Sequence, residues 1–281
     1  MHRRRSVLIV PGSQRRKIDK ALGLGADEVV IDLEDAVAPP QKDLARELVV
    51  EVLAGADANG PKIAVRMNSI DSPWARDDLA ALAMTSEYLS SVVVPKTESP
   101  QDLEAVVEGL DGHEATVQAL IETPAGLTFI DDICRSSDRL DAVIIGYADL
   151  AATLGRQRDL PAHRWASLQD RVLVAARTAG VAAIDGPHLG ISDDADFRAA
   201  TNWTRESGFD GKWVIHPSQI DFVTLAFTPT IDAVTQAQRI LEALADAEAC
   251  GAGAAVLDGQ MLDEAIAASA RRVLAQAEEL R

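Results

Sequence analysis

Short runs of β-branched and other apolar residues alternate along this chain with longer stretches in which apolar residues recur at helical spacing. The apolar runs predict strands at residues 6–11, 27–32, 62–67, 91–96, 116–122, 141–146, 181–185 and 212–217. Stretches rich in Ala, Leu, Arg and Glu predict helices at 41–54, 72–86, 99–110, 163–179 and 193–207. Nearly continuous apolar strands separated by helices indicate a parallel sheet that is covered on both faces.

This number of strand–helix units in 281 residues predicts the α/β class and, within it, a (β/α)8 TIM barrel. A doubly wound open sheet is the alternative, but no Gly-x-Gly-x-x-Gly motif follows the first strand. From about residue 231 the pattern changes to a helix (231–248), a Gly/Ala-rich break and a final amphipathic helix from Asp263. We therefore predict a barrel domain over 1–230 and a C-terminal helical extension over 231–281, which packs on the barrel or on a neighbouring subunit.

Composition and charge narrow the class of protein. The chain is 47% hydrophobic with a formal net charge of −17, which argues against general nucleic-acid binding because such binding needs a positive surface. Its two cysteines are far apart and lack metal-ligand spacing, so neither a disulfide framework nor a structural zinc site is expected. There is no bilayer-spanning apolar run and no signal-peptide pattern. We therefore expect a cytoplasmic enzyme without a membrane partner.

Basic residues are concentrated near the start of this acidic chain. Seven lie within the first twenty positions, where the sequence has Arg3, Arg4, Arg5, Arg15, Arg16, Lys17 and Lys20. Such a cluster can hold an anionic ligand, for example a phosphate-bearing cofactor. The alternative is that these are solvated residues at the end of the chain.

Polar side chains recur where the predicted strands end, and active sites of parallel barrels lie at that end. The second strand ends in Asp32, with Glu34 and Asp35 just beyond. The later strand ends contribute Arg66, Asn68, Lys96, Glu122, Asp149, Asp185 and His216. Carboxylates with few competing His or Cys side chains suit a hard cation such as Mg²⁺. The acids of "DLED" can then lie around a cation and its waters.

Each of these residues also has a structural interpretation. Asp149 can cap the helix that follows it. Arg66 can be an ion-pair partner of Asp32 or Glu34 without a role in chemistry. His216, which precedes a proline, can be a hydrogen-bonded structural residue. The functional interpretation depends on the convergence of these positions on one rim of one barrel.

A series of motifs runs in order over nearly the whole chain. They are "RSVLIVPG", "ADEVVIDLEDAVAPPQKDLAR", "VRMN", "VVVPK", "IETPAGL", "GYADLAATLG", "GKWVIHPSQI" and "GAGAAVLDGQMLDEA". With these motifs the chain resembles the citrate lyase β-subunit-like branch of the HpcH/HpaI aldolase superfamily, which includes malyl-CoA and citramalyl-CoA lyases. The fold of that family, a (β/α)8 barrel with a C-terminal extension, agrees with the pattern described above.

The resemblance implies a role for several positions. Glu122 and Asp149 would hold one Mg²⁺, for which Mn²⁺ can substitute, and Arg66 would contact the substrate and the developing enolate. The implied supporting residues, which bind water on the metal or orient the arginine, are Asp32, Glu34 and Asp35. Asp263 matches an aspartate that reaches the active site of an adjacent subunit in acyl-CoA lyases. Lys17 lies in the region where the family places the CoA nucleotide.

The implied reaction is Mg²⁺-dependent cleavage or formation of a 3-hydroxyacyl-CoA, such as malyl-CoA or citramalyl-CoA. The products of cleavage are an acyl-CoA and a 2-keto acid, and the protein is expected to be a homo-oligomer, a trimer or hexamer. The alternatives are a citrate lyase β subunit acting on an acyl-carrier-protein thioester, an aldolase acting on free keto acids, thioester hydrolysis after condensation, and a non-catalytic barrel subunit. The presence of Arg66, Glu122 and Asp149 argues against loss of catalysis.

Overall fold

The computed structural model describes residues 3–110 and 112–278. Eight parallel strands close into a barrel in chain order, and β1 pairs with β8. The strands are β1 (Ser6–Pro11), β2 (Glu28–Asp32), β3 (Lys62–Arg66), β4 (Leu89–Val94), β5 (Thr116–Ile121), β6 (Leu140–Ile145), β7 (Ala182–Asp185) and β8 (Gly211–Val214). The predicted (β/α)8 fold is confirmed.

Helices follow the strands and form the outer layer. Those of the barrel are α1 (Arg15–Leu22), α2 (Lys42–Ala54), α3 (Ala75–Ala83), α4 (Pro100–Gly109), α5 (Pro124–Thr128), α6 (Ile130–Cys134), α7 (Tyr147–Leu154), α8 (Ala166–Ala179), α9 (Ala195–Ser207) and α10 (Ile220–Ala226). The predicted eighth strand extended to residue 217, whereas β8 ends at Val214 and a 3-10 turn begins at Pro217. Among the described residues, no helix is long and apolar enough to cross a membrane.

Alternate strand residues fill the barrel interior. The buried cluster comprises Val7, Val30, Ala64, Val93, Leu120, Ala142, Ile144, Ala182, Ile184 and Trp213. Side chains along a strand point to opposite faces with a period of two. Asp32, Arg66 and Glu122 each lie two positions beyond a member of this cluster, so they share its inward direction at the C-terminal end of the barrel.

The opposite end of the barrel is closed by a buried polar network. Arg4 Nε donates to Glu28 Oε2 (2.8 Å) and Arg4 Nη2 to Asp141 Oδ2 (2.8 Å). Arg3 and Arg5 both pair with Asp27. The predicted basic cluster is therefore divided, because these three arginines precede β1 and are held by acids at the end of the barrel away from the rim.

The chain forms two compact units, Met1–Thr224 and Leu225–Arg281, and the division falls inside α10, before the predicted boundary at residue 230. In the second unit α11 (Ile231–Ala249) and α12 (Glu264–Glu278) agree with the predicted helices. The Gly/Ala-rich break between them contains an unpredicted antiparallel hairpin, β9 (Ala255–Leu257) and β10 (Gln260–Leu262). Its turn is Asp258-Gly259, both with positive φ, and Asp-Gly is a sequence signal for such a hairpin.

Candidate active site

An arginine–aspartate pair lies at the centre of the barrel mouth. Arg66 Nε donates to Asp32 Oδ1 (2.7 Å) and Arg66 Nη2 to Asp32 Oδ2 (2.6 Å), and both residues are buried. The guanidinium carbon lies 6.0 Å from the centroid of the Trp213 ring. Burial opposes ionisation of Asp32, but the bidentate contact with Arg66 outweighs burial and lowers the pKa of Asp32. Arg66 is therefore a fixed, fully charged cation.

The turn after β2 adds two more carboxylates to this cation. Arg66 Nη1 lies 3.2 Å from Glu34 Oε2 and 3.8 Å from Asp35 Oδ2. Lys42 fixes the turn, because its ammonium donates to the carbonyls of Leu33 (2.6 Å) and Glu34 (2.7 Å). Burial raises the pKa of Glu34 above its ordinary value, although Arg66 and Lys96 oppose that effect. The three "DLED" acids therefore lie around Arg66.

Lys96 supplies a second cation, directly above these acids. Its ammonium pairs with Glu34 and lies 3.9 Å from Glu122 Oε1 and 3.6 Å from Asp149 Oδ2. Its backbone has φ +50°, a conformation that costs a residue with a Cβ roughly 1–2 kcal/mol. Its own N–H donates to Glu122 Oε1 (3.0 Å). Lys96 adopts this strained conformation at a position where both its backbone N–H and its ammonium contact the carboxylate cluster.

The motif "IETPAGL" places Glu122 at the end of β5. The Thr123 hydroxyl accepts from Gly126 N (3.1 Å) and so caps α5, and Pro124 occupies the first helical position. A Cβ at Gly126 would lie 2.4 Å from the Thr97 carbonyl oxygen, so only glycine allows this approach. The helix therefore begins immediately after Glu122 and turns the chain away, which leaves the carboxylate at the rim.

Asp149 lies in the first turn of α7, and Gly146, the residue directly after β6, is the N-cap of that helix. Gly146 N donates to the Ile121 carbonyl (2.9 Å), which joins this turn to the end of β5. A Cβ at Gly146 would lie 2.6 Å from Glu122 Cβ and 2.7 Å from Glu122 Oε2. Glycine at this position therefore makes room for the Glu122 side chain. Glu122 and Asp149, the two predicted metal ligands, both lie within 4 Å of the Lys96 ammonium.

This arrangement fits a divalent cation held by few protein ligands. Burial, reinforced by the charge of Glu34, raises the pKa of Glu122 to about 8 despite nearby Arg66 and Lys96. The cluster thus has more carboxylate than its two cations neutralise. Within the described residues, no three His, Cys, Asp or Glu side chains are grouped to hold a metal ion alone. Mg²⁺, however, is usually bound through one or two carboxylates and keeps several waters or substrate oxygens.

The raised pKa of Glu122 predicts a pH-dependent stability in EDTA. The folded chain retains a proton that the unfolded chain releases near pH 4.3, so stability should fall as pH rises from about 5 to about 8. Because Gln cannot ionise, Glu122→Gln should reduce the loss of unfolding free energy between about pH 6 and pH 8 by up to about 2 kcal/mol. Urea denaturation at both pH values measures this, with exposed Glu104→Gln as the control. Equal losses in wild type and Glu122→Gln would contradict the prediction.

Three other predicted rim residues have structural contacts. Asn68 donates through its backbone and side chain to Asp78 Oδ2 (2.9 and 2.6 Å). His216 is the N-cap of the 3-10 turn that starts at Pro217, and its Nδ1 lies 2.8 Å from Ser218 Oγ. Asp185 is fully buried and accepts from Lys212, an outward-facing neighbour of Trp213. Strand alternation explains the last case, because Ile184, not Asp185, faces the barrel interior.

Two predicted residues remain, Lys17 in the barrel unit and Asp263 in the second unit. Lys17 is exposed in the first turn of α1, which begins just beyond the C-terminal end of β1 and therefore on the rim side. Asp263 belongs to the second unit, where its carboxylate accepts from Ala265 N (3.0 Å) and Ile266 N (3.2 Å) and begins α12. Lys42 was not predicted from the sequence. Its ammonium contacts the Leu33 carbonyl across a turn, and helical or strand periodicity does not predict such a contact.

A (β/α)8 barrel with a buried arginine and several carboxylates at the C-terminal ends of its strands is the arrangement of a barrel enzyme whose site can hold a divalent cation. The family model for HpcH/HpaI aldolase/citrate lyase matches residues 5–217. An L-malyl-CoA/beta-methylmalyl-CoA lyase of Cereibacter sphaeroides is 34% identical, over 98% of this chain and 94% of its own. A (3S)-malyl-CoA thioesterase of Cereibacter sphaeroides is 36% identical, over 99% and 96%.

A solved structure supports the same relationship. The CitE protein of Mycobacterium tuberculosis, in complex with magnesium, acetoacetate and coenzyme A, superposes with a TM-score of 0.80 at 30% identity over 97% of both chains. This chain belongs to the HpcH/HpaI aldolase/citrate lyase family. The relationship predicted from the sequence motifs is confirmed.

Proposed function

We propose that this chain is a Mg²⁺-dependent carbon–carbon lyase that cleaves or forms a 3-hydroxyacyl-CoA such as malyl-CoA or citramalyl-CoA. The observation that carries the proposal is the convergence of Arg66, Glu122 and Asp149 at one end of the barrel. The malyl-CoA lyase relative, similar over nearly the full length of both chains, supports the same reaction class.

Glu122 and Asp149 are the residues that would hold the metal. When bound, Mg²⁺ would act as a Lewis acid on the hydroxyl and carboxylate oxygens of the hydroxyacid portion of the substrate. Oxygen donors do not discriminate strongly between Mg²⁺ and Mn²⁺, so either ion suits this pair. The magnesium in the related CitE structure is consistent with this assignment.

Arg66 stabilises the charge that develops when the carbon–carbon bond breaks. The substrate hydroxyl releases its proton to water as its oxygen becomes the carbonyl of the 2-keto acid, and the electron pair of the broken bond moves onto the acyl-CoA fragment as an enolate, whose oxygen carries the negative charge. A guanidinium has five N–H donors, and the contacts with Asp32 and Glu34 leave donors on Nη1 and Nη2 for that oxygen. Asp32 holds the guanidinium in place before the reaction, which is the arrangement that makes electrostatic stabilisation effective.

Asp263 is the proposed acid–base group, and Lys17 the proposed contact for the CoA nucleotide. The aspartate would protonate the enolate carbon during cleavage and deprotonate the acyl-CoA during condensation. We propose that it acts in the site of an adjacent subunit of a homo-oligomer, so that a monomer has incomplete sites. Lys17, with Arg16 and Lys20 exposed on the same helix, offers positive charge to the CoA phosphates.

Thioester hydrolysis is the second candidate function. It is favoured by the (3S)-malyl-CoA thioesterase, which is 36% identical over 99% of this chain. The two reactions share the same substrate class and the same need for an activated thioester. They differ in products, because a lyase releases a keto acid and an acyl-CoA whereas a thioesterase releases a hydroxy diacid and free CoA.

Product analysis tests both functions. The purified protein is incubated with Mg²⁺ and malyl-CoA or citramalyl-CoA, and in reverse with acetyl-CoA or propionyl-CoA plus glyoxylate or pyruvate. We expect mass spectrometry to detect a keto acid and an acyl-CoA, formed with Mg²⁺ and not in EDTA. Free CoA with malate or citramalate in place of these products would favour the thioesterase. No turnover, from protein that binds Mg²⁺ and CoA, would favour a carrier-protein-dependent citrate lyase β subunit or a non-catalytic subunit.

A further inference from the structure

The first turn of α7 is held by a polar cluster that lies outside the barrel interior. Tyr147 is the first residue of α7, two positions before Asp149. Its hydroxyl donates to Asp185 Oδ1 (2.5 Å) and accepts from Gln169 Nε2 (2.7 Å). Burial and the adjacent Asp185 carboxylate raise the pKa of Tyr147, so the phenol remains a hydrogen-bond donor.

The partners of this hydroxyl are themselves fixed. Asp185, at the end of β7, is fully buried and accepts from the Lys212 ammonium, which also donates to the Gly186 carbonyl (2.8 Å). Gln169 of α8 accepts from the Trp203 indole N–H of α9 (2.9 Å). The Tyr147 hydroxyl therefore connects α7 to two strands and two helices of the barrel.

The backbone of this turn has one further anchor, because the Gly146 N–H donates to the Ile121 carbonyl (2.9 Å). Gly146, at the N-cap, has no side chain to close the helix end. The Tyr147 ring packs against Trp165 with ring centroids 5.1 Å apart. Packing restrains the ring, and the two hydrogen bonds of the hydroxyl join the first turn of α7 to β7 and α8. Asp149, about half a helical turn further on, moves with it.

We propose that Tyr147 is a positioning residue for the metal site, whose hydroxyl, bound between Asp185 and Gln169, fixes the helical turn that presents Asp149 to the cation. The proposal rests on the proposed function in taking Asp149 as a metal ligand. Mg²⁺ requires nearly ideal octahedral geometry, so a small displacement of one carboxylate weakens binding. Groups that orient metal ligands typically contribute 10- to 100-fold in metal affinity.

The test is a calorimetric titration of Mg²⁺ into the purified full-length protein and its variants. Tyr147→Phe retains the ring that packs on Trp165 and removes the hydroxyl, and we expect the Kd for Mg²⁺ to rise about 10-fold. Trp203→Phe is the matched control, because it removes a hydrogen bond from the far side of Gln169 and leaves the Tyr147–Asp185 contact intact. Its Kd for Mg²⁺ should equal that of the wild type.

The outcomes separate the positioning role from the metal site itself. If Asp149→Asn abolishes Mg²⁺ binding but Tyr147→Phe binds Mg²⁺ with wild-type affinity, the positioning role is overturned and the proposed function is untouched. If Asp149→Asn binds Mg²⁺ as the wild type does, both are overturned. Equal losses of affinity in Tyr147→Phe and Trp203→Phe would indicate general loosening and would also overturn the positioning role. If Tyr147→Phe fails to fold, Gln169→Leu can be used in its place, because it removes the other hydrogen-bond partner of the Tyr147 hydroxyl. An unchanged Kd for Mg²⁺ in Gln169→Leu would also overturn the positioning role.

Discussion

Replacing Arg66 by methionine is expected to lower kcat by about 10²- to 10³-fold, the usual effect of removing one donor from a developing oxyanion. The same change should destabilise the protein by about 3–5 kcal/mol, because it leaves the fully buried Asp32 without its cation. Steady-state kinetics with the substrate identified by product analysis, together with urea denaturation, measure the two effects.

A second substitution separates these two consequences. Asp32→Asn added to Arg66→Met removes the unpaired charge, so stability should recover in part while kcat stays low. Arg177→Met provides a matched arginine control, since Arg177 pairs with Asp210 (2.8 Å) ahead of β8, at the opposite end of the barrel. That variant should lose stability without a comparable loss of kcat. Full recovery of kcat in the double variant would refute the role of Arg66 in charge stabilisation.

Asp263→Asn is expected to lower kcat by about 10²- to 10⁴-fold, the range for loss of a general acid or base. Asparagine is as good an N-cap as aspartate, so the start of α12, which Asp263 closes, should be preserved. Binding of Mg²⁺ and of CoA, measured by calorimetry, should therefore be unchanged. A variant with wild-type kcat would exclude Asp263 as the proton donor.

Subunit mixing tests whether Asp263 acts across an interface. Co-expressed Asp263→Asn and Asp149→Asn chains should form some sites in which both aspartates are intact. Random assembly predicts about a quarter of wild-type activity, although each variant alone is nearly inactive. If Asp263 acts within its own chain, no site contains both residues and the mixture stays inactive.

The barrel and most of its rim could be predicted from the sequence for a simple physical reason. Runs buried on both faces and separated by helices specify parallel strands, and the carboxyl ends of parallel strands meet on one side of the barrel. Asp32, Arg66 and Glu122 therefore follow from strand ends and from a period of two along each strand. The same strand alternation, applied to β7 with the tertiary structure, excludes Asp185 from the interior.

The identities of the partners were decided by the tertiary structure. Arg3 and Arg5 pair with Asp27 at the closed end of the barrel, contacts between residues more than twenty positions apart that no local pattern encodes. The position of Lys96 depends on a left-handed backbone conformation at a residue other than glycine, and no sequence pattern predicts that conformation. Local sequence determined periodicity, burial and helix ends. Packing between elements that are distant in the chain decided which charged side chains pair. That packing joins Tyr147 to Asp185 and gathers the rim carboxylates around two cations.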